Sequence, residues 1–283
     1  MEEVGVTTLR HESELGWMEL VSGTPHPSVR PHVRRYRGYG ERTAHPVRRR
    51  ELPSADVTLI LSLGPELRLV EPRPARHTSF VAGLDERSAV TEHDGEAAGV
   101  EVDLTPLAAH LFFRVPMHTL TCCVVELDDV LGREADRLVE RLHDAPTWPA
   151  RFHLLDDVIR ARIADAPEPS PGVDWAWQRL LATAGRVRVG ALASELGWSR
   201  KRLAARFRDQ IGLPPKAVAR ILRFRRAVRL LERDDDRSLG EIALDCGYFD
   251  QAHLNRDFRS FAGSTPSELL ARRFPEPFGV RPE

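Results

Sequence analysis

The chain has 283 residues, of which 42% are hydrophobic and 29% charged, and it is long enough for two domains with separate cores. It has no apolar run of the roughly 18 residues that a membrane span requires, and its acidic, mixed N-terminus is unlike a secretion signal. We therefore expect a soluble, cytoplasmic protein with no membrane partner. The chain has three cysteines, Cys122, Cys123 and Cys246, which are too few for a disulfide framework and so fit a reducing compartment.

Short apolar runs separated by turn residues occupy residues 29–104, after a stretch, residues 1–25, that carries no clear signal. The runs read VRRYRGY, VTLILSLGP, LRLV, SFVAG, AVTEHDG and GVEVDL. Several short strands at nearly regular spacing favour a small antiparallel barrel or sandwich. A barrel with an interior is suited by its geometry to holding a ligand.

Helical patterns follow the predicted barrel. Thr105 and Pro106 supply an N-cap and a proline at the first helical position, while residues 115–130 are ambiguous, with a strand and a loop expected. Residues 132–143 and 148–163 have the spacing of two amphipathic helices. Their apolar faces carry Leu138, Leu142, Phe152, Leu155 and Ile159. These two helices are the first candidates for a dimer surface.

The polar, proline-rich stretch DAPEPSPG divides the chain. We expect one domain over residues 1–164, in which helices 105–164 follow the barrel, then a linker over residues 165–172. A second domain is expected over residues 173–275, followed by a tail over residues 276–283.

One helical pattern occurs twice in the second domain, about 50 positions apart. The first copy carries Leu192, Ala193, Leu196, Gly197, Leu203, Phe207, Gly212 and Pro215, which align with Ile242, Ala243, Cys246, Gly247, Leu254, Phe258, Gly263 and Pro266. In each copy a small residue is followed four positions later by a turn glycine, and then by a Leu and a Phe four residues apart. This pattern predicts a helix-turn-helix in which the Leu and Phe are buried and the opposite face of the helix is free for a DNA groove. The second copy has one extra residue in its turn. Two aligned copies make this prediction much stronger than one.

A long helix is predicted between the two copies, over residues 215–232. Its 18 residues span about 27 Å, so it is long enough to hold two recognition helices about one DNA turn apart. Residues 234–236, three aspartates, end it. Ser238 with Glu241 forms a capping box for the next helix, and Thr265 with Glu268 does so for the last.

Positive charge is concentrated at the first copy and the long helix. From Gly185 to Arg233 there are 14 Arg or Lys residues against three acids, and 14 − 3 gives a net charge of +11. A basic segment that coincides with a helix-turn-helix is typical of proteins that contact DNA phosphates.

Residues 173–273 resemble the DNA-binding domain of AraC/XylS-type transcriptional regulators, most specifically through IALDCGYFDQAHLNRDF followed by GSTPSEL. The resemblance covers about a third of the chain. It implies an α+β protein with an all-α C-terminal domain of two helix-turn-helix subdomains joined by a long helix. It also implies binding to double-stranded promoter DNA, usually as an activator that contacts RNA polymerase in the bacterial nucleoid.

The resemblance assigns DNA contacts residue by residue. In the first recognition helix, over residues 200–210, it directs Lys201, Arg202, Ala204 and Ala205 toward base edges, and Arg206 and Arg208 toward phosphates. Ser199 and Arg200, where this helix starts, are also assigned to the DNA contact. In the second, over residues 250–261, it directs Gln251, Ala252, His253, Asn255 and Arg256 into the groove. Gln and Asn pair with adenine, and Arg or Lys with guanine.

Two departures from the family pattern bear on these assignments. Ala205 stands where many members carry a base-reading Arg, which leaves direct readout by the first helix to Lys201 and Arg202. Between Asp234 and Arg273, eight acids outnumber five bases. We therefore expect the second unit to bind DNA more weakly and to be the part that contacts polymerase.

The N-terminal half resembles AraC-type regulators with a cupin-like sensor domain, through RRRELPS, VTLILSLG, FVAGL and VDLTPL. This resemblance implies a domain that senses a small-molecule effector or forms a homodimer. Metal-binding cupins use a His-x-His pair, which this chain lacks, so we expect no metal, no cofactor and no catalytic residue. Arg48, Arg49 and Arg50 are read as surface ion pairs in preference to pocket residues.

Two alternatives remain open at this point. One is an enzyme, a cupin-type oxygenase or an alkyl-transfer repair protein, fused to the same DNA-binding module; Cys122 and Cys123 are the candidate acceptors, although buried apolar cysteines are the preferred reading. The other is an adaptor whose N-terminal half binds another protein and no small molecule.

Overall fold

The fold is described from a computed structural model, which covers residues 5–14, 16–233 and 237–271. The predicted α+β class is confirmed, because antiparallel strands fill the N-terminal half and helices fill the C-terminal half. Among the described residues, no helix has the length and apolarity needed to cross a bilayer.

Eleven strands lie within the described ranges: β1 Val6–Ser13, β2 Gly16–Gly23, β3 Val33–Thr43, β4 Val47–Glu51, β5 Val57–Ser62, β6 Leu67–Glu71, β7 Ala75–His77, β8 Phe80–Ala82, β9 Ala89–His93, β10 Glu96–Leu104 and β11 Val124–Glu126. Seven pair in the order β1-β2-β3-β10-β5-β8-β11, and the other four in the order β4-β9-β6-β7. All pairings are antiparallel. Over the described residues, the strands form these two open sheets in place of one closed barrel.

The six apolar runs found in the sequence correspond to β3, β5, β6, β8, β9 and β10. The hairpin of β1 and β2 lies in the stretch that gave no signal. Every residue of β1 is exposed, so this strand has no buried face and no alternation of apolar and polar residues to detect.

Helices cover one face of the larger sheet. They are α1 Pro106–Phe113, α2 Leu127–Leu131, α3 Arg133–Asp144 and α4 Trp148–Ala164, with a short 3-10 helix at Met117–Thr119. Val100, Val102 and Leu104 of β10 point into the core beneath them and are fully buried. Alternate residues of β10 therefore face the other side of the sheet.

The contact between α4 and β3 shows how this layer is fixed. The Phe152 ring stacks on the Tyr36 ring with centroids 5.5 Å apart, and the Tyr36 hydroxyl donates to the buried Asp156 carboxylate at 2.9 Å. Gly38 has no side chain to hold off the Trp148 ring, which lies directly against it. The apolar faces of α3 and α4 are thus buried in the protein's own core, which corrects their assignment as a dimer surface.

The C-terminal half is helical: α5 Pro171–Ala182, α6 Val189–Glu195, α7 Arg200–Gln210, α8 Pro215–Leu231, α9 Leu239–Asp245, α10 Gln251–Ala262 and α11 Pro266–Ala271. The capping box of Ser238 and Glu241 forms as predicted. Residues 165–170 lie between α4 and α5, where the linker is predicted. The predicted helix stop at residues 234–236 and the tail at residues 276–283 lie outside the described residues.

Candidate nucleic-acid interface

The first repeated unit consists of α6 and α7. Gly197 turns the chain between them with a φ of 61°, and the Ser199 hydroxyl accepts a hydrogen bond from the Arg202 amide at 3.1 Å, which caps α7. Leu203 and Phe207 are completely buried. Because they lie four residues apart on one face of α7, the opposite face is turned outward.

The second unit, α9 and α10, repeats this construction. Gly247 turns the chain with a φ of 79°, and the Asp250 carboxylate accepts from the His253 amide at 2.7 Å to cap α10. Leu254 and Phe258 are fully buried, as their counterparts are in α7. Gly263 ends α10 in the left-handed conformation with a φ of 71°.

The 17-residue helix α8 joins the two units. Its Phe224 packs into the second unit, with ring centroids 4.9 Å from Phe258 and 5.0 Å from Phe261. Ile221 and Val228 are also buried on the same helix. Aromatic rings packed at this spacing form part of a close-packed core, so α8 and α10 are held as one rigid element.

Several arginines of α8 are used inside the protein. Arg220 pairs with Glu86 at 2.6 Å and with Asp257 at 2.8 Å. Arg223 donates to the Gly185 carbonyl at 3.0 Å. The net charge of this segment therefore overstates the charge that is available to DNA.

The basic side chains that remain outward are concentrated on α7. Arg200, Lys201, Arg202, Arg206 and Arg208 are all exposed. The Arg202 guanidinium lies 4.5 Å from the centre of the Trp198 ring, a cation–π contact that orients it at the start of the helix. This surface has the charge and shape of a helix that enters a DNA groove.

Comparison with known proteins agrees with this geometry. Residues 192–272 match a family described as helix-turn-helix domain, and residues 22–126 match a family described as a domain of unknown function, DUF6597. The uncharacterized HTH-type transcriptional regulator YbfI of Bacillus subtilis (strain 168) is 29% identical over 219 residues, which cover 72% of this chain and 74% of YbfI. The protein is a DNA-binding transcription regulator with an AraC-type helix-turn-helix domain.

Solved structures show more distant likenesses to this regulator. ToxT from Vibrio cholerae is 10% identical with a TM-score of 0.48, and the match covers 83% of this chain and 98% of ToxT. A regulator with an AraC-type DNA-binding domain from Chromobacterium violaceum is 28% identical with a TM-score of 0.34, covering 38% of this chain and 95% of that one. The identification rests on the sequence matches together with the two helix-turn-helix units.

The regulator's predicted DNA-contact residues lie at accessible positions. Three of them, Ala204, His253 and Asn255, are partly buried. The others are exposed: Ser199, Arg200, Lys201, Arg202, Ala205, Arg206, Arg208, Gln251, Ala252 and Arg256. The role of each toward a base or a phosphate stays a prediction.

Two of the partly exposed residues of α10 are less available than the sequence suggests. The His253 ring packs edge-on against Tyr248 with centroids 5.2 Å apart. The Asn255 Oδ1 atom is buried and has no hydrogen-bond partner among the described residues. A bidentate pair with adenine uses both the oxygen and the nitrogen of the amide, so Asn255 must rotate outward to make it.

Two further residues near the interface were not predicted as contacts. Arg259 is exposed three residues after Arg256 and so lies on the same face of α10. Phe249, just before the helix, has 85% of its surface exposed. Helical spacing would have identified Arg259, and the extra turn residue of the second copy pointed to Phe249.

The N-terminal half of the regulator packs behind both recognition helices. At the end of α7, Gly212 has a φ of 104° and lies against Thr121 and Met117 so closely that a side chain would collide with the Thr121 hydroxyl. At the end of α10, Gly263 lies close to the Arg50 side chain. The two helices are therefore supported at their C-terminal ends, and their N-terminal ends are open.

A second contact with α10 runs through α8. Arg220 bridges Glu86 of the N-terminal half and Asp257 of α10, whose carboxylate is almost completely buried. We call Glu86, Arg220 and Asp257 the interdomain bridge. It connects the strand-rich half to the second recognition helix through Arg220 of α8.

The three-arginine run of β4 is less exposed than predicted. Arg49 donates to the buried Glu41 carboxylate at 2.7 Å, and His93 lies 3.2 Å from the same carboxylate. Arg50 is also largely buried and contacts Ser88 and Glu71. The prediction of surface ion pairs holds for Arg48, whose side chain is half exposed. It is wrong for Arg49 and Arg50, whose side chains are largely buried. Successive residues of a strand face opposite sides, so Arg49 faces one way and its neighbours the other.

Charged side chains also line the face of β3 and β10 that points away from the helices. Arg35 pairs with Glu101 and Asp103, each at 2.6 Å, and Arg37 pairs with Glu101 at 3.3 Å. Burial, and then Asp103, raise the pKa of Glu101. We call Arg35, Arg37, Glu101 and Asp103 the polar face.

This polar face is incompletely satisfied. The Nε atoms of Arg35 and Arg37 are buried and have no hydrogen-bond partner among the described residues. Burial, and then repulsion from Asp103, raise the pKa of the nearby Asp56 to about 6. The positive charge of Arg225 on α8 stabilises the ionised form of Asp56. A residue of the DNA-binding half therefore lies next to the polar face.

The sequence offered Cys122 and Cys123 as the candidate residues for enzyme chemistry. Within the described ranges, no group of three or more His, Cys, Asp and Glu side chains is placed to hold a metal ion. Cys122 is exposed, which corrects the expectation that it is buried, and Cys123 is half-buried. Partial burial and the nearby Asp85 raise the pKa of the Cys122 thiol, which disfavours the reactive thiolate.

Proposed function

We propose that the regulator binds double-stranded promoter DNA sequence-specifically by placing α7 and α10 in successive major grooves on one side of the duplex. The observation that carries this proposal is that two helices, each with a side-chain cap, a preceding glycine turn and a buried Leu and Phe four residues apart, are fixed on α8 with their N-terminal ends open. Recognition helices of this kind contact base edges through their N-terminal residues.

Different residues supply affinity and selectivity in this proposal. Arg206 and Arg208, in the second half of α7, neutralise phosphates. Lys201 and Arg202 of α7 and Gln251 and Arg256 of α10 read bases, because Arg and Lys pair with guanine and Gln pairs with adenine. The protein acts as a regulator and not as an enzyme.

Replacing Arg256 tests the proposal that α10 distinguishes one DNA sequence from another. Sites are first selected from random duplexes with the full chain, and binding is then measured on the selected site and on its single-base variants. We expect Arg256→Ala to relax discrimination at one base pair by about 1–3 kcal/mol. Arg259→Ala, one turn further along, serves as the matched control and is expected to weaken binding to all these sequences alike. Equal loss on every sequence for Arg256→Ala would show that it touches only the backbone.

The polar face supports the proposal that the N-terminal half binds a small-molecule effector. Two buried N–H groups without acceptors are costly, so a small polar molecule that carries acceptor oxygens would gain by binding them. Because Arg225 of α8 lies close enough to Asp56 and Arg35 to interact with their charges, such a molecule would act next to the helix that joins the two recognition units. A homodimer and a contact with RNA polymerase stay predictions from the resemblance.

Thermal-shift screening against polar metabolites tests the effector proposal. A ligand of the polar face stabilises the wild-type protein but not Arg37→Ala, because that variant removes one of the two donors. Arg137→Ala on α3, an exposed arginine elsewhere in the N-terminal half, is the control. A ligand that stabilises all three proteins equally binds elsewhere.

A further inference from the structure

The turn of the second helix-turn-helix unit contains one residue more than the turn of the first. In the first unit, Trp198 alone separates Gly197 from the capping residue Ser199. In the second, Tyr248 and Phe249 separate Gly247 from the capping residue Asp250. Tyr248 is buried, as expected for the counterpart of the partly buried Trp198. The additional residue is therefore Phe249.

Phe249 is not part of the buried core. Its side chain is 85% exposed, the largest exposed fraction among the exposed large apolar side chains of the described residues. The first unit makes an equivalent turn without such a residue, and the cap of α10 is formed by Asp250. A polar residue at position 249 would therefore serve the folded chain equally well.

The position of Phe249 points to DNA. It directly precedes the cap of α10, beside the exposed residues Gln251 and Ala252, at the open end of the helix. In a helix-turn-helix complex this end of the recognition helix approaches the base edges. Apolar side chains in the major groove contact the methyl group of thymine.

Because the second unit has more acids than bases, an apolar contact there would contribute DNA affinity that its charge does not supply. Between residues 234 and 273 the acids outnumber the bases by eight to five, so phosphate contacts contribute less than at α7. Burial of a thymine methyl under an aromatic ring adds affinity that does not depend on salt.

We propose that Phe249 is a specificity-determining residue that selects a thymine at one position of the half-site bound by α10. This inference rests on the proposed binding of α10 in the major groove. Phe249 and the exposed Leu244 of α9 would otherwise be candidates for contact with a partner protein, and the experiment below separates the two cases.

The experiment replaces each thymine of the selected site with deoxyuridine, which removes only the methyl group. For the wild-type full chain, one replacement in the α10 half-site is expected to lower affinity about fourfold, as burial of one methyl group predicts. Phe249→Ala is expected to bind the thymine site about fourfold or more weakly, and to show no further loss at that deoxyuridine. Leu244→Ala, a matched apolar truncation away from the capped end of α10, should keep the wild-type profile.

Several outcomes would overturn the inference. Phe249→Ala with wild-type affinity and the wild-type deoxyuridine profile would show that Phe249 does not read thymine. Unchanged DNA binding with loss of transcription in a reconstituted polymerase assay would assign Phe249 to a protein partner. If the wild-type chain selects no sequence at all, the proposed function itself fails, whereas selection of a site with an unchanged Phe249→Ala profile removes only this inference.

Discussion

Asp56 is a residue whose protonation changes within the usual working range of pH. Burial and the neighbouring Asp103 raise its pKa to about 6, compared with about 3.9 for an unperturbed aspartate. The folded protein therefore favours the protonated form. Any stability that comes from this preference is fully present below about pH 4 and is lost as the pH rises through 6.

Asp56→Asn tests this consequence, because asparagine resembles the protonated aspartate at every pH. At pH 8 we expect the variant to be more stable than the wild type by about 1–2 kcal/mol, a figure reduced from the full pKa shift because the side chain is 26% exposed. At pH 4 the two proteins should differ little. Urea unfolding at both pH values measures the difference, and an equal difference at pH 4 and pH 8 would show that Asp56 is not the titrating group.

Arg206 and Arg208 are the residues to which we assign phosphate contacts. Removal of a phosphate contact lowers the salt dependence of binding by about 0.9 in the slope of log K against log salt. Arg206→Ala and Arg208→Ala should each lower the slope by that amount and weaken binding to all DNA sequences alike. Fluorescence anisotropy over a salt series measures the slope, with Arg137→Ala as control. A slope equal to that of the wild type would refute the placement of these two side chains.

Among the elements, α8 links the recognition helices to the strand-rich half. The interdomain bridge places Arg220 between a half-exposed acid, Glu86, and a buried one, Asp257. Loss of the partner of a buried charge costs far more than loss of the partner of an exposed charge. The two ends of the bridge should therefore respond differently to mutation.

We expect Arg220→Ala to lower the free energy of unfolding by about 3 kcal/mol, because it leaves the Asp257 carboxylate buried and unpaired. Glu86→Ala should cost less than about 1 kcal/mol. Asp257→Asn combined with Arg220→Ala should recover part of the loss, since no buried charge is then left. Denaturant unfolding of the four proteins provides the comparison. Equal costs for Arg220→Ala and Glu86→Ala would mean that the buried pair does not dominate.

The same elements show what the sequence can predict. The caps at Thr105 and Ser238 and the buried pairs of α7 and α10 follow from neighbours within one or two turns, so the pattern alone located them. The interdomain bridge joins residues 134 and 37 positions apart, and nothing in the local pattern indicates that they meet. The hairpin of β1 and β2 escaped detection because β1 has no buried face. The predicted DNA contacts were on accessible helix faces, but the burial of Asn255 Oδ1 depends on packing that the sequence does not encode locally.

At the scale of the whole molecule, two recognition units are held on one helix and supported from behind by the strand-rich half. The helix α8 is about 26 Å long and packs against helices of both units, so the two units cannot rotate independently around the duplex. The regulator should therefore require both half-sites on the same side of the DNA.

Footprinting on a selected site tests this claim most directly. We predict two protected segments about 10 base pairs apart on one face of the duplex. Insertion of five base pairs between them should lower affinity at least about tenfold, because it turns the second half-site to the opposite face. A single protected segment, or affinity unaffected by the insertion, would contradict the account.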